Sequence, residues 1–216
     1  MKFLLLILKN IRRNVVLSTL TSLGTVVLVL VVTLVWSILA FLSQATAEKQ
    51  QNLKAIITER WQLPSQMPMA YAATLSEGAA REPGDTRPLD SMTWSFYGGT
   101  TDLKNRTNTN SLFAFALEPK KLRTMMDDLD TLPPGPAAEL DAAIEKMEQN
   151  RQGIILGRDR LKMLEKRVGE RIKIYGVNYK EINLELEIVG QFPEGRYDSS
   201  AAIHIDYLLN SLDAWQ

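Results

Sequence analysis

The stretch Val15–Leu42, VVLSTLTSLGTVVLVLVVTLVWSILAFL, contains no Asp, Glu, Lys or Arg. A hydrocarbon core about 30 Å thick needs roughly 20 helical residues at about 1.5 Å each. The run exceeds that length, so it can cross a bilayer with some tilt or continue beyond it. Lipid offers no water to the backbone, so an isolated span satisfies its polar groups only as a helix. The β-branched run Val26–Val35 disfavours helix in water but matters little where lipid enforces backbone bonding.

Working outward, Lys2, Lys9, Arg12 and Arg13 precede the span and no acid does. Flanking basic residues set orientation, which predicts a cytoplasmic N-terminus and everything after about Ala47 on the other side. The leader 1–14 also places Phe3–Leu8 and Ile11 beside those cations, the pattern of a short interfacial helix. Ala45-Thr46-Ala47 has the small-x-small form of a signal-peptidase site. A cleavable signal has an apolar core of only about 7–15 residues, so an uncleaved anchor is the better reading. Ser18, Ser22, Gly24, Thr33 and Ser37 would let a second helix approach closely.

The chain has 216 residues, 25 basic and 25 acidic, and no cysteine. Removing the four leader cations leaves 21 basic against 25 acidic residues, a net of −4. A mildly acidic domain does not suit nucleic acid, and the lack of cysteine excludes disulfides and thiolate metal sites. The expected layout is a basic leader (1–14), a transmembrane helix (15–42), a helical stalk (43–61) and an extracytoplasmic core domain (62–216). The fold class is α+β.

Leu53, Ile56, Ile57 and Trp61 recur at helical steps, predicting a stalk helix over Ala47–Trp61. No Pro or Gly lies between Thr25 and Trp61, so span and stalk read as one unbroken helix that could act as a lever. Pro64 and Pro68 end it, and Leu75–Asp90 reads as a loop. Met92–Tyr97 is β-prone and Gly98-Gly99 is expected to stop it. Leu112–Glu118 predicts a buried strand with Phe113, Phe115 and Leu117 on one face. Pro119 opens a helix with Leu122, Met125, Met126 and Leu129 inward, and Pro133–Pro136 breaks it. A helix over Ala137–Arg151 presents Leu140, Ile144 and Met147.

Further on, Gly153–Leu156 predicts a strand, Arg158–Lys166 a helix, and Arg171–Tyr175 a strand. In Ile182–Val189 the residues Ile182, Leu184, Leu186 and Ile188 alternate with Asn183, Glu185 and Glu187. Such a strand has one face in a core and one in water. Ala201–Ile205 completes the strands, and Asp206 is the expected N-cap of a last helix to Leu212.

Several stretches taken in order carry a resemblance. They are Leu8-Lys9-Asn10-Ile11-Arg12-Arg13-Asn14, Gly153-Ile154-Ile155-Leu156-Gly157-Arg158, Val168-Gly169-Glu170-Arg171, and Phe192-Pro193 followed by Tyr197-Asp198-Ser199-Ser200. Together they resemble the membrane subunit of MacB/FtsX-type ABC transporters, the superfamily of the lipoprotein-releasing permeases. The resemblance covers the first span and much of the domain. It implies a MacB-like periplasmic core domain, a cytoplasmic ABC ATPase as partner, a homo- or heterodimer of permease subunits, and an inner-membrane location. Such permeases have four spans, three of them after the domain. No second apolar run follows before Gln216, so the resemblance implies a permease fragment lacking the later spans, and a core domain left incomplete by the loss of its last strands.

Chemistry-bearing motifs are sparse, and no catalytic, cofactor or metal residue is assigned. No G-x-x-x-x-G-K-[ST] occurs, so ATP hydrolysis is not expected of this chain. Gly98-Gly99-Thr100-Thr101 lacks the lysine and reads as a turn. His204, the sole histidine, reads as structural. Asp127, Asp128 and Asp130 lack the glycine and spacing of a calcium loop and read as a solvated face, as do Glu185 and Glu187. Ser199-Ser200 has no assignable base, and Asn105-Arg106-Thr107 has the form of a glycosylation sequon. Two function classes remain: a transporter permease subunit with membrane lipid around it, or a single-pass anchored module whose outer domain binds a partner in sensing or assembly. A membrane-tethered hydrolase lacks a visible nucleophile–base pair.

Overall fold

The computed structural model describes residues 12–47, 54–60, 67–76, 82 and 88–214. The chain divides into two compact units, Met1–Ala55 and Ile56–Gln216. In the first, helix α1 (Val15–Ala47) runs for 33 residues. Its segment Val15–Gln44 is long and apolar enough to cross a membrane, and none of it is buried within the protein. Thr21, Thr25 and Thr33 turn their hydroxyls back onto the carbonyls of Leu17 (3.0 Å), Thr21 (2.8 Å) and Val29 (2.9 Å). These polar groups are thereby satisfied inside the helix, as a lipid environment demands.

The expected stalk helix is not found where it can be tested. Helix α1 ends at Ala47, and Lys54–Arg60 has no helical residues. Ile56 and Ile57 are exposed. A short amphipathic segment whose apolar residues stay exposed, as Ile56 and Ile57 do, gains too little to offset helix nucleation. The unbroken lever therefore does not stand. The leader through residue 11, the stalk residues 48–53 and Trp61, and most of the 75–90 loop lie outside the described residues.

The second unit is mixed α/β. After a short helix α2 (Tyr71–Ser76), six strands close into a barrel: β1 (Trp94–Thr100), β2 (Ser111–Leu117), β3 (Gly153–Leu156), β4 (Arg171–Gly176), β5 (Asn183–Gln191) and β6 (Ala201–His204). Their order around the barrel is β1-β2-β6-β3-β5-β4. The β2–β6 and β3–β5 pairs are parallel and the others antiparallel. The helices between strands are α3 (Pro119–Met125), α4 (Pro134–Gln149) and α5 (Arg158–Met163), and α6 (Ile205–Asp213) follows β6.

Strand alternation creates two cores. Leu112, Ala114, Ile154, Leu156, Ile174, Leu184, Leu186, Ile188 and Ile203 form one cluster, the barrel interior. Ile155, Val189 and Ala202 point the other way and pack with Leu122 of α3 and Leu140, Ala143, Ile144 and Met147 of α4. The alternation expected in β5 holds: Leu184, Leu186 and Ile188 are buried. The β3–β5 register shifts between Ile154 and Ile155, a bulge that strengthens local twist.

Four local expectations are corrected. Phe113, Phe115 and Leu117 do share a face of β2, but it is the outer one. Phe113 is 47% exposed, while Leu112, Ala114 and Ala116 face the barrel interior. With the Tyr97 ring and the Leu and Ile side chains already filling the interior, β2 can present only Leu112 and two alanines there, and its own rings stay out. Gly98-Gly99 does not stop β1, which runs to Thr100. A Cβ on Gly99 would come 2.3 Å from the Ile174 side chain and 2.8 Å from the Tyr175 carbonyl, so the strand can close on β4 only with glycine there. Pro134-Gly135-Pro136 does not interrupt but forms the first turn of α4, where proline lacks a donor that the helix would leave unpaired anyway. Finally, the N-cap of α6 is His204, not Asp206; its ring Nδ1 accepts from the Asp206 N–H at 3.2 Å.

Candidate functional site

The sequence motifs from 153–158 and 192–200 meet at the start of α5. The Phe192 N–H donates to the Leu156 carbonyl (2.9 Å), Gly157 N–H to Ser200 (2.8 Å), and Asp159 N–H to Asp198 (2.9 Å). These backbone bonds strap the β5–β6 connection across the strand–helix junction. Phe192 and Tyr197 anchor it in the outer core, with ring centroids 5.4 Å apart.

Three arginines fasten the same connection. Arg158 forms a two-pronged contact with Glu194, at 2.9 and 3.1 Å, and lies 3.6 Å from Asp198. The hydrogen bond from Arg158 holds the Glu194 carboxyl below the usual carboxylate range. Arg160 donates from Nε to the Ser199 carbonyl (2.9 Å) and from Nη1 to the Asn108 and Ser111 carbonyls (2.9 and 2.8 Å). Arg196 reaches Asp127 at 2.9 Å and Asp128 at 3.6 Å. The Tyr197 hydroxyl donates to the Asp127 carbonyl at 3.0 Å, and burial raises its pKa. Planar guanidinium groups suit this work, because one side chain can bridge several carbonyls or a carboxylate in fixed geometry.

The other sequence candidates settle into structural positions. Thr100, in the glycine-threonine run, is buried and bonds Asp102 and Asn110 across a turn. Asp127 and Asp128 are ion-paired as above. Glu185 pairs with Lys173 at 3.0 Å, and Glu187 accepts from Asn150 at 3.2 Å, both on the outside of the barrel. Ser199 and Ser200 contribute carbonyls to the strap. Asn105-Arg106-Thr107 sits in an exposed turn held by Asp102 and Asn110. His204 caps α6, and its Nδ1 lies 3.9 Å from the Asp206 carboxylate. Among the described residues no group of three metal-ligating side chains is assembled.

Two surface features escape sequence reasoning. Trp94 and Phe96 of β1 and Phe113 and Phe115 of β2 form a continuous outer aromatic row. Neighbouring centroids lie 4.7 Å (Trp94–Phe96), 4.6 Å (Phe96–Phe113) and 5.4 Å (Phe96–Phe115) apart. Its signal was aromatics two apart in two adjacent strands, which is cross-strand stacking once Phe96 is paired with Phe115. The second feature is a cleft of about 510 Å³ beside α5, bordered by Arg158, Lys162, Glu165, Lys166, Arg167 and Val168. Compared with models of known families and with curated proteins, the chain matches none.

Proposed function

We propose that this chain is the N-terminal part of the membrane permease subunit of an ABC transporter of the MacB/FtsX type, with its α/β unit as an extracytoplasmic, MacB-like core domain. What supports the reading is one long apolar helix behind a basic leader, joined in sequence to a domain in which two of the family-like motifs, 153–158 and 192–200, meet at Gly157, Arg158 and Asp198. In this reading the chain is not itself an enzyme. A cytoplasmic ATPase supplies the energy, a second permease subunit completes the membrane unit, and lipid surrounds α1. The N-terminus is cytoplasmic and the domain lies outside the inner membrane.

The decisive test is the coding sequence beyond codon 216. Three further apolar runs, and ATP hydrolysis when the full-length product is purified with a neighbouring ATPase, are the expected results. An open reading frame with no later span refutes the reading. Reporter fusions after Gln216 should be active only outside the cytoplasm, and neutralising Lys9, Arg12 and Arg13 should weaken that orientation. The half-buried outer aromatic row, exposed at Phe113, favours a second reading, an anchored module that binds a partner in sensing or assembly, since uncovered apolar surface marks interaction sites.

A further inference from the structure

We infer that the cleft between α5 and the 164–168 turn binds a phosphate-bearing anion. The cleft does not depend on the permease reading, and its shape comes from the end of α5. The Glu165 N–H donates to the Lys162 carbonyl (3.1 Å) and the Lys166 N–H to the Leu161 carbonyl (3.0 Å). This double closure is a Schellman cap, which requires a left-handed residue at its centre. Glu165 occupies that position, with φ +52°. The cap turns the chain sharply and brings Lys166, Arg167 and Val168 back beside Lys162, forming the wall of the cleft.

Not every cation there is available. Arg158 is engaged by Glu194 and Asp198, and Lys166 by Glu170 at 2.9 Å. Lys162 reaches Asp159 only at 3.9 Å and is 70% exposed, although its charge also reaches Glu194. Arg167 makes no ion pair among the described residues, although its charge also reaches Glu170. Lys162 and Arg167 therefore remain to bind an anion, opposed by the Glu165 carboxylate at the cleft's edge. A guanidinium fork plus an ammonium suits a phosphate's several oxygens better than a neutral ligand. Leu161 and the 48% exposed Val168 add an apolar wall for the organic part of a phosphate ester. The shared chemistry belongs both to a lipid headgroup and to a free phosphate ester.

The test is calorimetric titration of the full chain in maltoside micelles. Inorganic phosphate and dihexanoylphosphatidic acid are the probes. Both are expected to bind, and more weakly as sodium chloride rises. Lys162→Gln with Arg167→Gln should weaken binding about tenfold, the combined effect of two surface charge contacts. Glu165→Gln should tighten it about threefold by the same reasoning. The opposite signs separate a binding role from a folding defect, and each variant's melting temperature is measured alongside. Tighter binding of the phosphatidic acid assigns the site to a lipid headgroup, and equal binding assigns it to free phosphate. No heat from either probe at 10-fold above about 1 mM, or binding that ignores all three substitutions, overturns the inference.

Discussion

Gly190→Ala tests how closely α4 sits on the barrel. A Cβ built on Gly190 would stand 2.3 Å from the Ala143 Cβ, whereas ordinary contact begins near 3.4 Å. Helix and strand must therefore separate by about 1 Å, or the side chains around them must leave their rotamers. The helix cannot move freely, because Leu140, Ile144 and Met147 are buried on the same face. Overpacking of this kind costs about 1–3 kcal/mol. In a unit of this size each kcal/mol lowers the melting temperature by about 2–4 °C, so a fall of roughly 2–12 °C is expected. Ala143→Gly alone should cost about 1 kcal/mol through helix propensity. Combined with Gly190→Ala it also removes the colliding methyl, so the double variant should be more stable than the sum of the single effects, by at least about 1 kcal/mol. Urea unfolding of the four proteins measures the cycle. A Gly190→Ala melting temperature within 1 °C of the parent, or strictly additive effects, would refute the close packing.

The remaining predictions concern single side chains. Burial raises the Tyr97 pKa above its ordinary value of 10.0. The neutral phenol is thus favoured in the fold, so its stabilisation is complete below about pH 10 and declines as pH rises beyond it. Tyr97→Phe should lose about 1–3 kcal/mol at neutral pH, since its hydroxyl donates to the Ile182 carbonyl at 2.7 Å, and should show a shallower alkaline decline in denaturant titrations. Glu165→Gly should stabilise the domain by about 0.5–1 kcal/mol, because glycine occupies the left-handed cap without strain; a lower melting temperature would contradict this. Arg160→Gln should cost about 2 kcal/mol by removing three bonds to carbonyls, with amide exchange rising first at 108–111 and 199. Unchanged exchange in those segments would show that Arg160 is not a fastener.

The strap around α5 explains why function is harder to see here than fold. Three acids that the sequence singles out near it are matched by a neighbour: Asp127 and Asp128 by Arg196, and Asp198 by Arg158. Paired in this way, they hold loops together instead of presenting a reactive group. The features left open to ligands are the aromatic row and the basic cleft, and each is assembled from segments whose meeting depends on the chain's path.

What the sequence determined by itself rests on local periodicity. A charge-free run longer than a bilayer must be helical, and α1 extends through it. Strict alternation in Ile182–Val189 revealed a one-sided strand, and β5 buries those residues. The short apolar run at 153–156 appears as β3, and the one at 201–205 as β6 up to His204, with Ile205 opening α6. Tertiary structure decided whatever depends on partners far along the chain. Periodicity puts Phe113 and Phe115 on one side of β2, but only closure into a narrow barrel assigns the inside to Ala114 and Ala116. Gly99 belongs in a strand only because Ile174 approaches it from β4. The helical pattern at 53–61 was real, yet Ile56 and Ile57 find nothing to bury them. An apolar stripe makes a helix stable only when tertiary packing covers it.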